Sequence, residues 1–259
     1  MDDFCMGLAL YGILNDIHFP YEDKVAYELA LKVLSDQPNL AHIYLNGDVP
    51  EFEAVTAHQK YMLAKDYLFE EVEYTNKRLD ELQDRFPGTP ITWISGNHEY
   101  RLERFLERQA RELYGCGMDM VTLFNLAGRG IDWVPYGPRQ LVKCGQSDLY
   151  LRHEPLSSSR THSKITAEGS NVSIAYGHTH TYQEYSVKRL SVESPIITAT
   201  AVPFLGDIKA KVFNYRGSKD NWQNGFAIVS CDTESFKHVI DVIIIEDNRC
   251  MFGGKIYEA

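Results

Sequence analysis

The sequence predicts an α/β fold in which two packed mixed β-sheets are flanked by helices. Three observations predict it. Strand, polar turn and helix follow one another three times in the first half of the chain; the second half is rich in short strand-like runs with few helical patterns between them; and five short polar clusters each sit where an apolar run stops.

The first unit begins with the mostly apolar run Leu8 to Leu14, which ends at Asn15-Asp16. Glu22 to Asp36 then carries Val25, Leu29 and Val33 at four-residue spacing, one face of a helix. In the second unit His42-Ile43-Tyr44-Leu45 runs into Asn46-Gly47-Asp48, and a long helical segment, Tyr61 to Phe86, follows. Within it Leu68, Val72, Thr75, Leu79, Leu82 and Phe86 alternate steps of four and three, a stripe suited to packing on a sheet or another helix. Pro87-Gly88 stops that helix. Ile91-Thr92-Trp93-Ile94 opens the third unit, Gly96-Asn97-His98-Glu99 is its exit turn, and an Arg-rich helix is expected around Leu102 to Leu113.

Successive units of this kind indicate a parallel sheet core. Further on, Leu141 to Val142, Leu149 to Leu151, Val172 to Tyr176, Ile196 to Thr200, Phe226 to Ser230 and Val239 to Ile245 are strand candidates, expected to form a second sheet packed on the first with helices outside. A single domain over residues 1–259 is expected. The most linker-like stretch, Ser157 to Ser163, lies between two of the polar clusters, so a boundary there would divide them; it reads as a loop beside an active site.

Composition narrows the function classes. A formal net charge of −10 argues against wholesale binding to a nucleic-acid backbone, although not against a nucleic-acid substrate held at a local cationic site. The five cysteines, Cys5, Cys116, Cys144, Cys231 and Cys250, show no C-x-x-C spacing and are odd in number, so reduced, mostly buried thiols are expected. The start Met1-Asp2-Asp3-Phe4 is acidic, and the apolar run after it is broken by Asn15-Asp16. Neither a signal peptide nor a membrane span is expected, and the expected location is the cytoplasm.

The polar clusters carry the chemistry. Asp16 and His18 flank Ile17, so in an extended or turning segment both side chains can point toward one cation; alone, the triplet reads equally as a turn with a surface histidine. Gly47-Asp48 is ordinary turn chemistry, but a carboxylate has two oxygens and can bridge two cations. Gly96-Asn97-His98-Glu99 offers an amide oxygen, an adjacent imidazole able to donate a proton, and a glycine for a tight turn; a helix cap by Asn97 is its plainer reading. Gly177-His178-Thr179-His180 ends an apolar run with two imidazoles two apart, good metal-ligand spacing. His153, following Tyr150-Leu151-Arg152, is the least specific, and a satisfied half-buried histidine is its plain reading.

In this order the clusters resemble the signature of the calcineurin-like metallophosphoesterase superfamily, D-x-H, G-D, G-N-H-(E/D), H and G-H-x-H, matched across residues 16 to 180. The resemblance implies a four-layer α/β/β/α sandwich that hydrolyses phosphoesters with a dinuclear-metal-activated hydroxide. By motif position it implies that Asp16, His18 and His180 hold one divalent metal ion, that Asn97, His153 and His178 hold the other, and that Asp48 bridges them. His98 would stay off the metals, face the phosphate and help protonate the leaving oxygen. Members with G-D-x-x-D use the second aspartate to orient the motif histidine; here Gly47-Asp48-Val49-Pro50-Glu51 supplies Glu51 instead. The fourth-motif histidine is commonly followed by glycine, whereas here Glu154 and Pro155 follow. The compact size and the ending from Gly225 to Tyr257 are also similar to small phage- and prophage-encoded members.

Mixed carboxylate, amide and imidazole donors with no motif cysteine suit Mn first, Fe or Zn otherwise. The expected substrates are phosphomonoesters or phosphodiesters: nucleotides, phosphoproteins or nucleic acid. A nuclease using the same site is an alternative, for which Lys209, Lys211, Arg216 and Lys219 form the local basic cluster. A silent interaction scaffold is a second alternative, disfavoured because every ligand type is present. Arg101 and Arg104 follow His98 on the expected helix, within reach of a phosphate at its start, and Arg101 is the stronger candidate. Arg152, Arg160 and Lys164 flank the fourth cluster; solvation or ion pairing, as with nearby Glu103, Glu107 and Glu112, is the plainer role for most of these basic residues.

Overall fold

A computed structural model describes residues 7–56, 68–138, 140–190, 195–215, 219 and 221–259. The acidic start, Cys5, the front of the expected long helix from Tyr61, and Arg216 lie outside the described residues.

The elements follow in the order β1 (Leu8–Leu14), α1 (Lys24–Ser35), β2 (Leu40–Asn46), α2 (Leu68–Arg85), β3 (Ile91–Ile94), α3 (Glu99–Gln109), α4 (Met120–Leu123), α5 (Leu126–Arg129) and β4 (Ile131–Val134). The second half contributes β5 (Val142–Lys143), β6 (Leu149–Leu151), α6 (His162–Gly169), β7 (Ser173–Tyr176), β8 (Gln183–Lys188), β9 (Ile196–Ala201), β10 (Asn224–Asp232), β11 (His238–Ile245), β12 (Arg249–Phe252) and β13 (Lys255–Glu258). Local chemistry explains the ends. Asp23 caps α1, its Oδ1 accepting from the Val25 and Ala26 amides at 3.1 and 3.0 Å, so the helix starts where the side chain can take up orphan donors.

Of the two large sheets one is six-stranded in the order β11-β10-β1-β2-β3-β4 and the other five-stranded in the order β5-β6-β7-β9-β8, while β12 pairs antiparallel with β13 in a small two-stranded sheet. β1 to β4 are parallel, as the repeated units predict, while β10 and β11 add antiparallel at the β1 side. In the second sheet β6, β7 and β9 are parallel, with β5 and β8 antiparallel at the edges. Both sheets are therefore mixed. The layers are visible in the core. Tyr11, Ile13, Tyr44 and Ile94 from the first sheet meet Leu149, Leu151 and Ala175 from the second. Helices α1 and α2 bury Leu29, Val33, Leu79 and Leu82 on the outer face of the first sheet, and α6 buries Ala167 against Ile174 and Ala199 of the second.

One sequence expectation is corrected, and four strands that the sequence did not reveal are added. The runs at Phe226 to Ser230 and Val239 to Ile245 belong to the first sheet, not the second, because β10 is buried on both sides where it pairs with β1. The strands β4, β8, β12 and β13 lacked an apolar run to reveal them. β8 is an edge strand whose residues alternate between half-buried and exposed, so Gln183 to Lys188 reads as polar. Among the described residues no helix is long and apolar enough to cross a membrane. Cys144, Cys231 and Cys250 are free and buried, and Cys116 is free and exposed.

Candidate metal centre

The polar clusters leave the carboxyl ends of β1, β2, β3, β6 and β7, so parallel strands from both sheets deliver them to one crevice. The loops are laced together by backbone bonds. The Asp16 amide donates to the Gly47 carbonyl at 3.0 Å, His18 to Asp48 at 2.9 Å and Gly177 to His153 at 3.0 Å. Gly47, at φ +86°, lies so close to His153 that a Cβ there would overlap the imidazole; a Cβ on Gly96 would overlap Asp48.

Two groups of side chains result. In the first, His180 Nε2 lies 3.2 Å from both Asp16 Oδ1 and His18 Nε2. In the second, Asn97 Oδ1 is 2.8 Å from His178 Nδ1 and 3.3 Å from His153 Nε2, and Asp48 Oδ2 is 3.2 Å from the same His153 nitrogen. Between them, Asp16 Oδ1 and His153 Nε2 are 3.9 Å apart. Asp16, His18, Asp48, His153 and His180 are all at most 2% exposed, whereas Asn97 and His178 are half-buried.

The donor set fits divalent cations on tautomer grounds. His18 Nδ1 donates to Glu51 Oε2 at 2.8 Å, and His153 Nδ1 donates to the Asn46 carbonyl at 2.8 Å. With those protons committed, a neutral ring turns the Nε2 lone pair inward, toward carboxylate and amide oxygens that are themselves acceptors. Oxygen and nitrogen lone pairs packed against each other in a buried crevice call for positive charge. Without a cation a proton takes that part: burial opposes the charged form of His153, yet Asp48 and Asp16 raise it to about 10. Burial, together with the charge on His153, drives His178 the other way, to about 3. Burial works against the charge of Asp48 as well, but His153 and His98 hold it well below the usual carboxylate range.

His98, 1% exposed, stands beside both groups, its Nε2 3.5 Å from Asp48 Oδ2 and its ring edge-to-face with His18 at 4.7 Å. Glu51 takes the aspartate's place with a longer reach: Oε2 faces His18 Nδ1 at 2.8 Å and His98 Nδ1 at 3.1 Å, while Oε1 accepts from Arg101 Nη1 at 2.8 Å. Arg101 is turned inward. Besides Glu51 it meets His98 Nε2 through Nη2 at 2.6 Å, and its side chain is 11% exposed. Arg104 lies over the Tyr100 ring at 6.0 Å. The Ser157 to Ser163 stretch leads into α6, where His162 bonds Tyr176 Oη at 2.6 Å and Thr181 Oγ1 at 3.2 Å, at the margin of the His178–His180 loop.

Glu99 had no assigned role in the sequence, although the motif contained it. Fully buried, its two oxygens accept from the amides of Gly96, Asp48 and Val49 and from the Trp93 indole at 2.7 to 3.0 Å, joining the β2 and β3 exits. Four donors aimed at one carboxyl favour the carboxylate, while burial and the nearby Asp48 charge push its pKa up to about 7. The rings of Phe204, Phe213 and Trp222 beside His18 and His180 had no sequence signal at all, since they lie far beyond the last motif.

The chain is similar to several known proteins. A protein 22% identical over 258 residues, covering 95% of this chain and 97% of its own, is the Gene 54 protein of Mycobacterium phage L5. Among solved structures, Vacuolar Protein Sorting 29 from Cryptosporidium parvum is similar with a TM-score of 0.45 at 10% identity, over 97% of this chain and 95% of that one. PhoD is similar with a TM-score of 0.49 at 9% identity, over 98% of this chain and 69% of that one. The family model for calcineurin-like phosphoesterases matches residues 10–188, which contain every motif cluster. The chain belongs to the calcineurin-like phosphoesterase family, with His and Asp clusters able to bind the divalent metal on which a phosphoesterase of this family depends.

Proposed function

We propose that the protein uses two divalent cations to hydrolyse phosphomonoesters or phosphodiesters, working as one catalytic domain across residues 1–259. The observation that carries this reading is the meeting of Asp16 Oδ1, Asp48 Oδ2 and His153 Nε2 between the two groups, with the His153 nitrogen 3.9 and 3.2 Å from the two carboxylates. Asp16, His18 and His180 would hold one cation, Asn97, His153 and His178 the other, and Asp48 would serve both. Mn is the cation proposed, with Fe or Zn next, given hard oxygen donors beside imidazoles. What such a pair supplies when bound is neutralisation of phosphate charge and a water-derived nucleophile at neutral pH.

The chain's own residues do the remaining work. Glu51 faces His98 Nδ1 and Asp48 faces its Nε2, so the two carboxylates favour the doubly protonated ring, whose Nε2 proton would pass to the leaving oxygen. Arg101, on the same Nε2, is the group a substrate would share or displace, and it stands behind His98 instead of reaching out to solvent. Glu99 keeps Asp48 and Asn97 in register by binding both strand exits.

The test is a Mn-supplemented hydrolysis panel of an aryl monoester, an aryl diester, nucleotides, a phosphopeptide, and single- and double-stranded DNA, with Asp48→Asn as control. Turnover of at least one class that Asp48→Asn abolishes is expected. No turnover of any class by Mn-loaded protein, or equal turnover by Asp48→Asn, would defeat the reading; preference for DNA would select the nuclease form of it.

A further inference from the structure

The Asp16, His18 and His180 group is enclosed by aromatic rings from a part of the chain that the family model does not reach. Phe204 lies parallel to the His180 imidazole at 4.5 Å and 9°, and Trp222 stands edge-to-face with it at 4.3 Å and 81°. Phe213 meets His18 edge-to-face at 5.1 Å and His180 at 6.3 Å. The three rings also contact one another at 5.2 to 6.2 Å. Phe204 and Phe213 are at most 1% exposed. Lys219 caps the box, its Nζ within 6 Å of the Phe213 and Trp222 ring centres and donating to the Ile208 carbonyl at 2.9 Å.

The same segment grips the backbone of two ligand candidates. The Leu205 amide donates to the Asp16 carbonyl at 3.1 Å and the Gln223 amide to the His180 carbonyl at 2.9 Å. Both Asp16 and His180 have positive φ, 47° and 59°, a conformation unfavourable for residues with a Cβ and so dependent on outside support. Residues 204 to 223 lie beyond the matched range of 10–188.

We propose that Phe204, Phe213 and Trp222 are positioning residues that lock the His18 and His180 rings in ligating orientation and make the Asp16–His18–His180 group the retentive one of the two cation sites. This rests on the two-cation reading above. Two physical effects combine. Rings held face and edge on resist rotation, so little ordering is left to be done on binding. Walls of phenyl and indole keep water out, which strengthens attraction between a cation and the Asp16 carboxylate and leaves a chelator no approach from that side. Among the described residues the Asn97–His153–His178 group has neither: Asn97 and His178 are half-buried, and the ring contact of His178 is with His153 at 5.5 Å.

Manganese release tests it. Protein loaded with two equivalents of Mn is mixed with excess EDTA, and free Mn is followed by electron paramagnetic resonance alongside tryptophan emission. Wild type should release one equivalent quickly and one slowly, and the Trp222 component of emission should recover only with the slow one. Phe204→Ala should speed the slow phase by ~10–100-fold and leave the fast phase alone, the usual cost of losing an outer-shell partner. Phe204→Leu, which keeps bulk but loses the parallel ring, should shift it in the same direction, and covers the case in which the alanine variant does not fold. Trp222→Phe should keep the slow phase and lose the emission signal. An unchanged slow phase in Phe204→Leu, or equal acceleration of both phases, overturns the proposal while leaving two-cation binding intact. Wild type that binds no Mn overturns the two-cation reading itself.

Discussion

The two halves of the crevice hold the same kinds of atoms in unlike surroundings. Around Asp16, His18 and His180 every candidate ligand is buried, His18 is backed by the Glu51 carboxylate, and aromatic rings fill the remaining space. Around Asn97, His153 and His178 one donor is a neutral amide, His153 is backed by a backbone carbonyl, and two of the three residues are half-buried. A carboxylate behind an imidazole makes it a stronger base than a carbonyl does, and burial magnifies the attraction for a cation. The contrast teaches a division of labour. On the two-cation reading proposed above, the first half would keep a cation and the second would leave one open toward a substrate.

The largest effect should come from Asp48, the residue proposed to serve both halves. Asp48→Asn is expected to lower Mn content at both positions and to reduce turnover by at least ~10²-fold, a loss of charge where two cations need it; full occupancy measured by metal analysis would end its bridging assignment. His98→Asn should separate chemistry from binding. Mn content should be unchanged while turnover drops ~10²-fold, the usual contribution of a positioned acid, and equal turnover in steady-state assays would remove His98 from the mechanism.

Glu51→Gln sharpens the contrast further. Its carboxylate backs His18 and not the second half, so Mn affinity measured by calorimetry should weaken ~10–100-fold in one binding step and hold in the other. Weakening of both steps would mean that the halves are not independent. The smallest effect is expected of Arg101→Lys. A lysine keeps the charge but not the grip of two nitrogens on Glu51 and His98, and about 0.5–1.5 kcal/mol of stability should be lost in denaturant unfolding. Metal content should stay that of wild type.

Much of this crevice was legible because strands must end somewhere. Leu8 to Leu14 abuts Asn15-Asp16, and the same change from apolar to polar marks Asp48, Asn97, His153 and His178, so each candidate could be assigned to a strand exit without knowing how strands pair. The helix after β1 was legible through its four-residue spacing, whereas its capping by Asp23 emerged only from the structure. Pairing itself was not. Phe226 to Ser230 is apolar enough for either sheet, and only the vacancy beside β1 assigns it to the first. Arg101 looked free for a phosphate because its spacing from His98 is visible in sequence, whereas its contact with Glu51, 50 residues away, is not.

The backbone of the site divides the two sources of information most sharply. Asp247 and Asn248 also have positive φ, 49° and 59°, but they join β11 to β12 and are residues that hairpin turns favour, so sequence chemistry accounts for them. Asp16, His18, Asp48, His178 and His180 have φ of 47° to 66°, and nothing local asks it of a histidine. At order ~1–3 kcal/mol each, such strain persists only where surrounding structure over-determines it. By itself the sequence determined which residue types arrive at the strand ends and hence the kind of chemistry, because hydrophobic periodicity and turn residues are local properties. The tertiary structure alone decided the strained ligand backbone, the double use of Glu51, the inward turn of Arg101 and the aromatic box on His180, because each depends on groups that only folding brings together.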